Sequence, residues 1–133
     1  MLPRPQRVLV VDDSADAREL WTMWLQFWGF VVEQASNGLD AIKKARTFQP
    51  NLVLMDLWMP VVDGLKATET LKSDPHMKDV PVLALSADTF SSARERALEA
   101  GADRFVAKPV NPDVLLEAIR DSFRTLVRKA AKD

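Results

Sequence analysis

Four short apolar runs, each ending at a polar or charged residue, constrain the fold of this 133-residue chain more than any other sequence feature. The runs read VLVV, LVLM, VLAL and RFVA, and they lead directly into Asp12-Asp13, Asp56, Ser86 and Lys108. Runs of this length bounded by turn signals are typical of strands buried on both faces of a parallel sheet. Polar residues at the carboxyl ends of such strands meet in the crevice where open α/β sheets bind ligands. We therefore expect these polar residues to share one site.

Segments of helical character separate the runs, and capping residues and helix breakers indicate where each helix begins and ends. The predicted helices cover about 14–28, 37–49, 64–73 and 91–101, and a last helix begins at about 111. Ser14, Asn37 and Asn111 are the predicted caps. A further strand is predicted at about 30–34. Strand and helix then alternate five times, which implies a parallel sheet with right-handed crossovers.

Apolar spacing within each helix predicts the face that packs on the sheet. In the first helix, Leu20, Trp24 and Trp28 recur at i, i+4 and i+8 and are predicted to be core. The predicted inner residues of the other four helices are Leu39, Ile42 and Ala45; Leu65, Thr68 and Leu71; Ala93, Ala97 and Ala100; and Leu115, Ile119 and Phe123.

Composition excludes several classes of function. Eighteen basic residues against nineteen acidic ones leave the chain near neutral, so no global charge favours nucleic acid or an anionic membrane as partner. The chain has no cysteine, which excludes disulfides, thiolate metal sites and thiol catalysis. No charged start is followed by a long apolar stretch, so we predict neither a signal peptide nor a membrane span and expect a cytoplasmic protein.

Four motifs in order, each at a predicted strand end, resemble the response regulator receiver domain of two-component signalling. They are VLVVDDS at 8–14, LVLMDLWMPVVDG at 52–64, LALSA at 83–87 and FVAKP at 105–109. The resemblance covers about 7–125, so we expect one receiver domain over 1–133 with short loose termini. It implies a flavodoxin-like (βα)5 fold, a three-layer α/β/α sandwich with a five-stranded parallel sheet in the order 2-1-3-4-5.

The resemblance also implies that Asp56 accepts a phosphoryl group from a phosphohistidine on a sensor histidine kinase or a histidine phosphotransfer protein. Three carboxylates converging on one crevice repel each other, so a cation must hold them together. Hard oxygen ligands suit Mg²⁺, with Mn²⁺ as a substitute. By family analogy Asp13 and Asp56 bind the metal directly, Asp12 holds a metal-bound water, and the backbone carbonyl of Trp58 completes the protein ligands.

Other roles carried over from the family complete this expected site. Lys108 supplies a positive charge to the phosphoryl oxygens, the Ser86 hydroxyl donates a hydrogen bond to another, and Pro109 follows a cis peptide bond. Inward movement of Ser86 on phosphorylation vacates space for Phe105. The fourth helix, fifth strand and fifth helix would then form the switched face that binds a downstream protein.

Four further residues are assigned from their positions. Trp58 could shield the phosphoryl group from water, whereas Asp88 could orient a hydrolytic water, so both are predicted to set the lifetime of the phosphorylated state. Met23 and Phe27 lie off the predicted core stripe of the first helix. They predict an apolar surface for a partner or for a second copy of the chain. A helix whose bulky side chains merely pack around its edges is the alternative.

A phosphorylation-independent pseudo-receiver acting as an interaction module is the main competing function. Against it, every charged site residue is present, and their mutual repulsion serves no purpose without phosphorylation. A nucleotide-binding module would require a Gly-rich or Ser/Thr-rich loop to bind phosphate where this chain has two carboxylates. We therefore expect a signalling phosphoacceptor rather than an enzyme, with the self-catalysed phosphorylation and dephosphorylation of the family. Too few residues follow the predicted last helix for an output domain. We therefore expect either a stand-alone regulator, which Met1 and the short polar tail favour, or a part of a longer protein.

Overall fold

A computed structural model describes residues 5–57, 63–87 and 91–132 of the chain. Within them five strands alternate with five helices: β1 Arg7–Val11, α1 Ala15–Phe27, β2 Val31–Ala35, α2 Gly38–Phe48, β3 Leu52–Asp56, α3 Gly64–Ser73, β4 Val82–Ser86, α4 Ser91–Glu99, β5 Arg104–Ala107 and α5 Pro112–Lys132. All strand pairs are parallel, and the sheet order is β2-β1-β3-β4-β5. The predicted fold class and strand order are confirmed.

The central strands are apolar on both faces because helices cover both sides of the sheet. Leu9 and Val11 of β1 belong to one cluster, with Ala41 and Ala45 of α2. The alternate residues Val8 and Val10 belong to a second cluster, with side chains from α1 and α5. Successive side chains of a strand point to opposite faces, so one unbroken apolar run supplies two cores.

Side-chain caps begin the helices where the sequence predicted them. Ser14 Oγ accepts a hydrogen bond of 3.2 Å from the Ala17 amide, and Asn37 Oδ1 accepts one of 2.8 Å from the Asp40 amide. Asn111 Oδ1 likewise accepts from the amide of Asp113, at 2.8 Å. The edge strand β2 lies one residue later than predicted, at Val31–Ala35 rather than 30–34.

The inner face of α1 differs from the prediction. Trp21 and Leu25 are the buried residues of the helix, whereas Leu20 is 44% exposed. Trp24 and Trp28 pack only partly buried against the edge of the cluster, with their ring centroids 6.4 Å apart. The helix is therefore rotated so that Trp21 and Leu25, next to the predicted stripe, face the sheet. The spacing of large residues indicated an apolar stripe on α1, but it could not indicate which residues beside that stripe contact the sheet.

The predicted inner face of α2 was also wrong at one position. Leu39, predicted to be buried, is 44% exposed, while Gly38, Ala41 and Ala45 form the buried face. Small side chains at the contact leave room for the helix to pack close to the sheet. The inner faces of α3, α4 and α5 agree with the prediction, except that Leu65 and Phe123 lie at the core edge.

Gly64 lets α3 begin directly against the end of β3. A Cβ atom at this position would lie 2.1 Å from the carbonyl oxygen of Asp56 and 2.6 Å from the Cα of Leu57. Both neighbours are backbone atoms, which cannot rotate away as a side chain can. The Gly64 amide also donates to the Leu57 carbonyl at 2.9 Å, which holds the two segments together.

We expect Gly64→Ala to lower the free energy of unfolding by about 3 kcal/mol, at the upper end of the usual cost of overpacking. Urea denaturation followed by circular dichroism measures it. Gly29→Ala is the control, because a Cβ there has no neighbour within 4 Å and only the positive φ of 95° is unfavourable. The control is expected to lose about 1–2 kcal/mol. A Gly64→Ala variant as stable as the parent would show that β3 and α3 can separate without cost.

Candidate functional site

The polar residues that end four strands meet at one edge of the sheet. Asp12 and Asp13 directly follow β1, Asp56 is the last residue of β3, and Ser86 is the last residue of β4. One carboxylate oxygen from each of the three aspartates lies within 4.8 Å of the others. Asp12 and Asp56 are 1% and 5% exposed, whereas Asp13 faces solvent.

Lys108 brings a positive charge to this group of carboxylates. Its Nζ lies 3.1 Å from Asp12 Oδ2 and 3.6 Å from Asp56 Oδ1. The Lys108 amide donates a 2.8 Å hydrogen bond to the Ser86 carbonyl, so the end of β4 fixes where the lysine leaves the sheet. The Lys108-Pro109 peptide bond is cis.

Asp12 is held in place by three contacts. Its Oδ1 accepts a 2.8 Å hydrogen bond from the Ser14 amide, while its Oδ2 contacts Lys108. Its backbone carbonyl accepts from Nη1 of Arg18 at 2.8 Å. Sequence reasoning assigned Ser14 only as a helix cap and did not assign Arg18. The Asp-x-Ser spacing, typical of a carboxylate that bonds a backbone amide two residues later, was the available signal for Ser14.

The three aspartates and Lys108, taken as a group, carry more negative than positive charge. Burial of Asp12 and Asp56 removes much of the water that would otherwise screen their repulsion. Clustered carboxylate oxygens with one open, solvent-facing side are donors that a hard divalent cation prefers. The acidic group can therefore hold a metal ion.

Trp21 lies beside the same lysine, a contact that sequence reasoning missed. Lys108 Nζ is 5.2 Å from the centroid of the Trp21 ring, within the range of a cation-π interaction. The tryptophan is 5% exposed and belongs to the core cluster between the sheet and α1 and α5. No local sequence pattern links the two residues, because they lie on α1 and after β5.

Ser86 and Phe105 lie on neighbouring strands beneath the acidic group. Ser86 is fully buried, and Phe105 pairs in register with Ala84, two residues earlier on β4. Phe105 is partly buried and packs against a small cluster that includes Leu57 and Ala97. Trp58 and Asp88, for which roles were also predicted, lie outside the described residues.

The predicted apolar surface of α1 is largely open to solvent. Met23 is 64% exposed and Phe27 is 87% exposed, and Leu20 adds a third apolar side chain to the same face. None of the helices among the described residues has the length and apolar character required to cross a membrane.

Comparison with known proteins agrees with this geometry. A family model described as the response regulator receiver domain matches residues 8–120. The chain belongs to this family, and it is a receiver domain of two-component signalling. Receiver domains of this kind interact with histidine kinases and with downstream targets.

The relatives that match the chain differ in total length. The polar-differentiation response regulator DivK of Brucella anthropi is 31% identical over 116 residues, which cover 87% of this chain and 94% of DivK. Response regulator MprA of Mycobacterium sp. (strain KMS) is 36% identical over 129 residues, which cover 97% of this chain and 54% of MprA. The chain thus spans about half the length of MprA.

A solved structure of the chemotaxis protein CheY4 of Vibrio cholerae superimposes with a TM-score of 0.85 at 30% identity. The alignment covers 89% of this chain and 98% of CheY4. The similarity therefore extends over most of both chains.

Proposed function

We propose that the chain is a phosphoacceptor receiver and that Asp56 takes a phosphoryl group from the phosphohistidine of a sensor kinase or phosphotransfer protein. The observation that carries the proposal is the meeting of Asp12, Asp13 and Asp56 with Lys108 at the carboxyl edge of the sheet. Asp56 is nearly buried and lies within reach of two other carboxylates. This arrangement lowers the stability of the fold, which indicates that it serves a chemical function.

In the proposed reaction, a carboxylate oxygen of Asp56 attacks the phosphorus atom. A new O–P bond forms while the P–N bond to the donor imidazole breaks, and the nitrogen keeps the electron pair. Phosphoryl transfer needs little covalent help from a protein and depends mainly on positioning and charge stabilisation. Lys108 lies where its ammonium can attract the phosphoryl oxygens, and Ser86, one strand away, offers a hydroxyl donor.

A divalent cation fits the acidic group, and we assign its direct ligands to Asp13 and Asp56, with Asp12 acting through a water. When bound, Mg²⁺ or Mn²⁺ would neutralise the carboxylates and draw charge from the transferring phosphoryl oxygens. Oxygen donors and the solvent-facing Asp13 support this assignment. The carbonyl of Trp58 completes the proposed ligand set. Trp58 and Asp88 are further proposed to set how long the aspartyl phosphate survives, including its self-catalysed loss.

We assign the switched surface to α4, β5 and α5, next to Ser86 and Phe105. A cavity of about 610 Å³ opens on this face and is lined by Phe105 and by the exposed side chains Leu98 and Val114. Ser86 is fully buried, and we propose that a phosphoryl group on Asp56 attracts its hydroxyl through a small local movement. Such a movement next to a partly buried phenylalanine can bias a packing equilibrium. A downstream protein would bind here.

A second surface, on α1, is proposed to contact the phosphodonor. Met23 and Phe27 present apolar side chains on α1, the helix that begins beside Asp12 and Asp13. A helical histidine-bearing partner docked on this face could reach the carboxyl edge of the sheet. A second copy of the chain is the other occupant that this surface could take.

Incubation of the chain with acetyl phosphate, followed by intact mass spectrometry, tests the proposal. We expect one added phosphoryl group in the presence of Mg²⁺ or Mn²⁺, and loss of at least nine-tenths of this uptake when the divalent cation is removed with EDTA. The physical reason is that three carboxylates repel the incoming anion unless a cation offsets them. No uptake with either metal would favour the phosphorylation-independent interaction module.

A further inference from the structure

Trp21 has a position that core packing alone does not require. It lies on α1, is 5% exposed, and shares a cluster with Val10 and Leu54, the strand residues that lead toward the acidic group. A leucine or phenylalanine would suit the apolar contacts of this cluster. The ring of Trp21, however, also faces the ammonium group of Lys108 at 5.2 Å.

Lys108 Nζ is therefore held from two directions. The carboxylates of Asp12 and Asp56 attract it from one side, at 3.1 and 3.6 Å. The Trp21 ring attracts it through the negative face of its π system, and indole provides the strongest such face among the side chains. A lysine has a long stem with many rotamers, so an additional fixed contact restricts where the charge can lie.

The two kinds of contact respond differently to phosphorylation. Phosphorylation of Asp56 would change the charge and position of the oxygens that Lys108 contacts. The ring carries no formal charge and lies in the packed core, so its attraction to the ammonium persists whatever the state of Asp56. A contact of this kind can keep the lysine aimed at the site while its anionic partners are exchanged.

We infer that Trp21 is a positioning residue for Lys108, holding the ammonium over the acidic group through a cation-π contact. The inference rests on the proposed phosphorylation of Asp56, and it adds a residue of α1 to the site. The tryptophan is then part of the charge-stabilising machinery and not only a core side chain.

Three single variants separate ring electrostatics from packing. Trp21→Leu removes the aromatic face, and Trp21→Phe keeps a smaller one. Trp24→Leu is the matched control, because Trp24 is on the same helix, packs against the same cluster and pairs with Trp28. We expect Trp21→Leu to slow phosphorylation by acetyl phosphate about three- to tenfold, Trp21→Phe to recover part of the rate, and Trp24→Leu to stay within about twofold of the parent. Equal rates for the Phe and Leu variants would overturn the inference.

A double-mutant cycle with Lys108→Met excludes an indirect effect of lost stability. In a chain without the lysine, Trp21→Leu has no ammonium to release, so we expect no further loss of the residual rate. The same fractional loss in both backgrounds would mean that Trp21 acts only through the fold. Urea denaturation of each variant verifies that the rates are compared at matched folded fractions.

A spectroscopic measurement tests the contact without any phosphoryl transfer. The ring current of a tryptophan shields protons above its face, so the ε-methylene protons of Lys108 should resonate upfield of those of other lysines. We expect this shift to vanish in Trp21→Leu and to persist in Trp24→Leu. Absence of the shift in the parent overturns the inference. Presence of the shift in a chain that takes up no phosphoryl group would instead contradict the proposed function while leaving the contact established.

Discussion

Replacement of Asp56 by asparagine is expected to abolish phosphoryl uptake from acetyl phosphate, a loss of at least a hundredfold relative to the parent chain. An amide oxygen is a far weaker nucleophile than a carboxylate, and the variant also gives up one of the two proposed direct metal ligands. The acid is 5% exposed and is the last residue of β3, so the sheet fixes the position of its backbone. Intact mass spectrometry at a fixed time and donor concentration measures the effect.

Asp63→Asn is the matched control for this substitution. Asp63 is the cap of α3 and accepts a 2.8 Å hydrogen bond from the Lys66 amide, a role that asparagine fills almost equally well. It lies outside the acidic group. We expect the Asp63→Asn variant to acquire the phosphoryl group at the parent rate. Full uptake by Asp56→Asn would place the phosphoryl group on another residue and contradict the proposed acceptor.

The same variant should also change stability in the absence of divalent cations. Two carboxylates within 4.8 Å repel Asp56, while Lys108 Nζ attracts it from 3.6 Å. Burial removes water that would screen the repulsion, so removal of the Asp56 charge is expected to raise the free energy of unfolding by about 1 kcal/mol. Mg²⁺ should reduce this difference, because it stabilises the parent more than the variant. A variant less stable than the parent without metal would show that Lys108 already balances the acidic group.

Much of the site could be predicted because its residues coincide with strand ends. In a parallel sheet the carboxyl ends of all strands lie at one edge, so Asp12, Asp56, Ser86 and Lys108 converge once the runs before them are identified as strands. The runs themselves are unambiguous because both faces of β1, β3 and β4 are covered by helices. Local hydrogen-bonding chemistry likewise predicted the caps Ser14, Asn37 and Asn111.

The rotation of the helices could not be predicted with the same certainty. In α1 nearly every position from Trp21 to Trp28 is large and apolar, so several faces satisfy the periodicity and tertiary packing decides among them. That choice buries Trp21 and exposes Leu20. The contact of Trp21 with Lys108 depends on this rotation of α1, and no sequence pattern predicts that the two residues meet. Residues that hold a site residue in position are therefore harder to find than the site residue itself.

Lys108→Met is expected to slow phosphorylation of the chain about a hundredfold to a thousandfold at saturating Mg²⁺, with little change in the mass finally reached if the donor is in excess. Removal of a single preorganised donor that stabilises charge in a transition state typically costs this much. Lys108 Nζ contacts both Asp12 and Asp56, so its charge acts where the phosphoryl oxygens would arrive. Lys108→Arg should recover only part of the rate, because a planar guanidinium cannot occupy the position of a compact ammonium.

Lys72→Met is the matched control, because Lys72 is a partly buried lysine that forms an ion pair away from the site. The Lys72 side chain is 15% exposed, compared with 24% for Lys108, and its Nζ lies 2.8 Å from Asp103 and donates to the Val80 carbonyl. Both substitutions break a partly buried ion pair, so both should lower stability, but only Lys108→Met removes charge from the acidic group. We expect Lys72→Met to be phosphorylated at the parent rate at temperatures where it is folded. A time course of intact mass for the two variants measures both rates. Similar rates would remove Lys108 from the proposed mechanism. A loss of rate confined to Lys108→Met would assign the charge stabilisation to this residue.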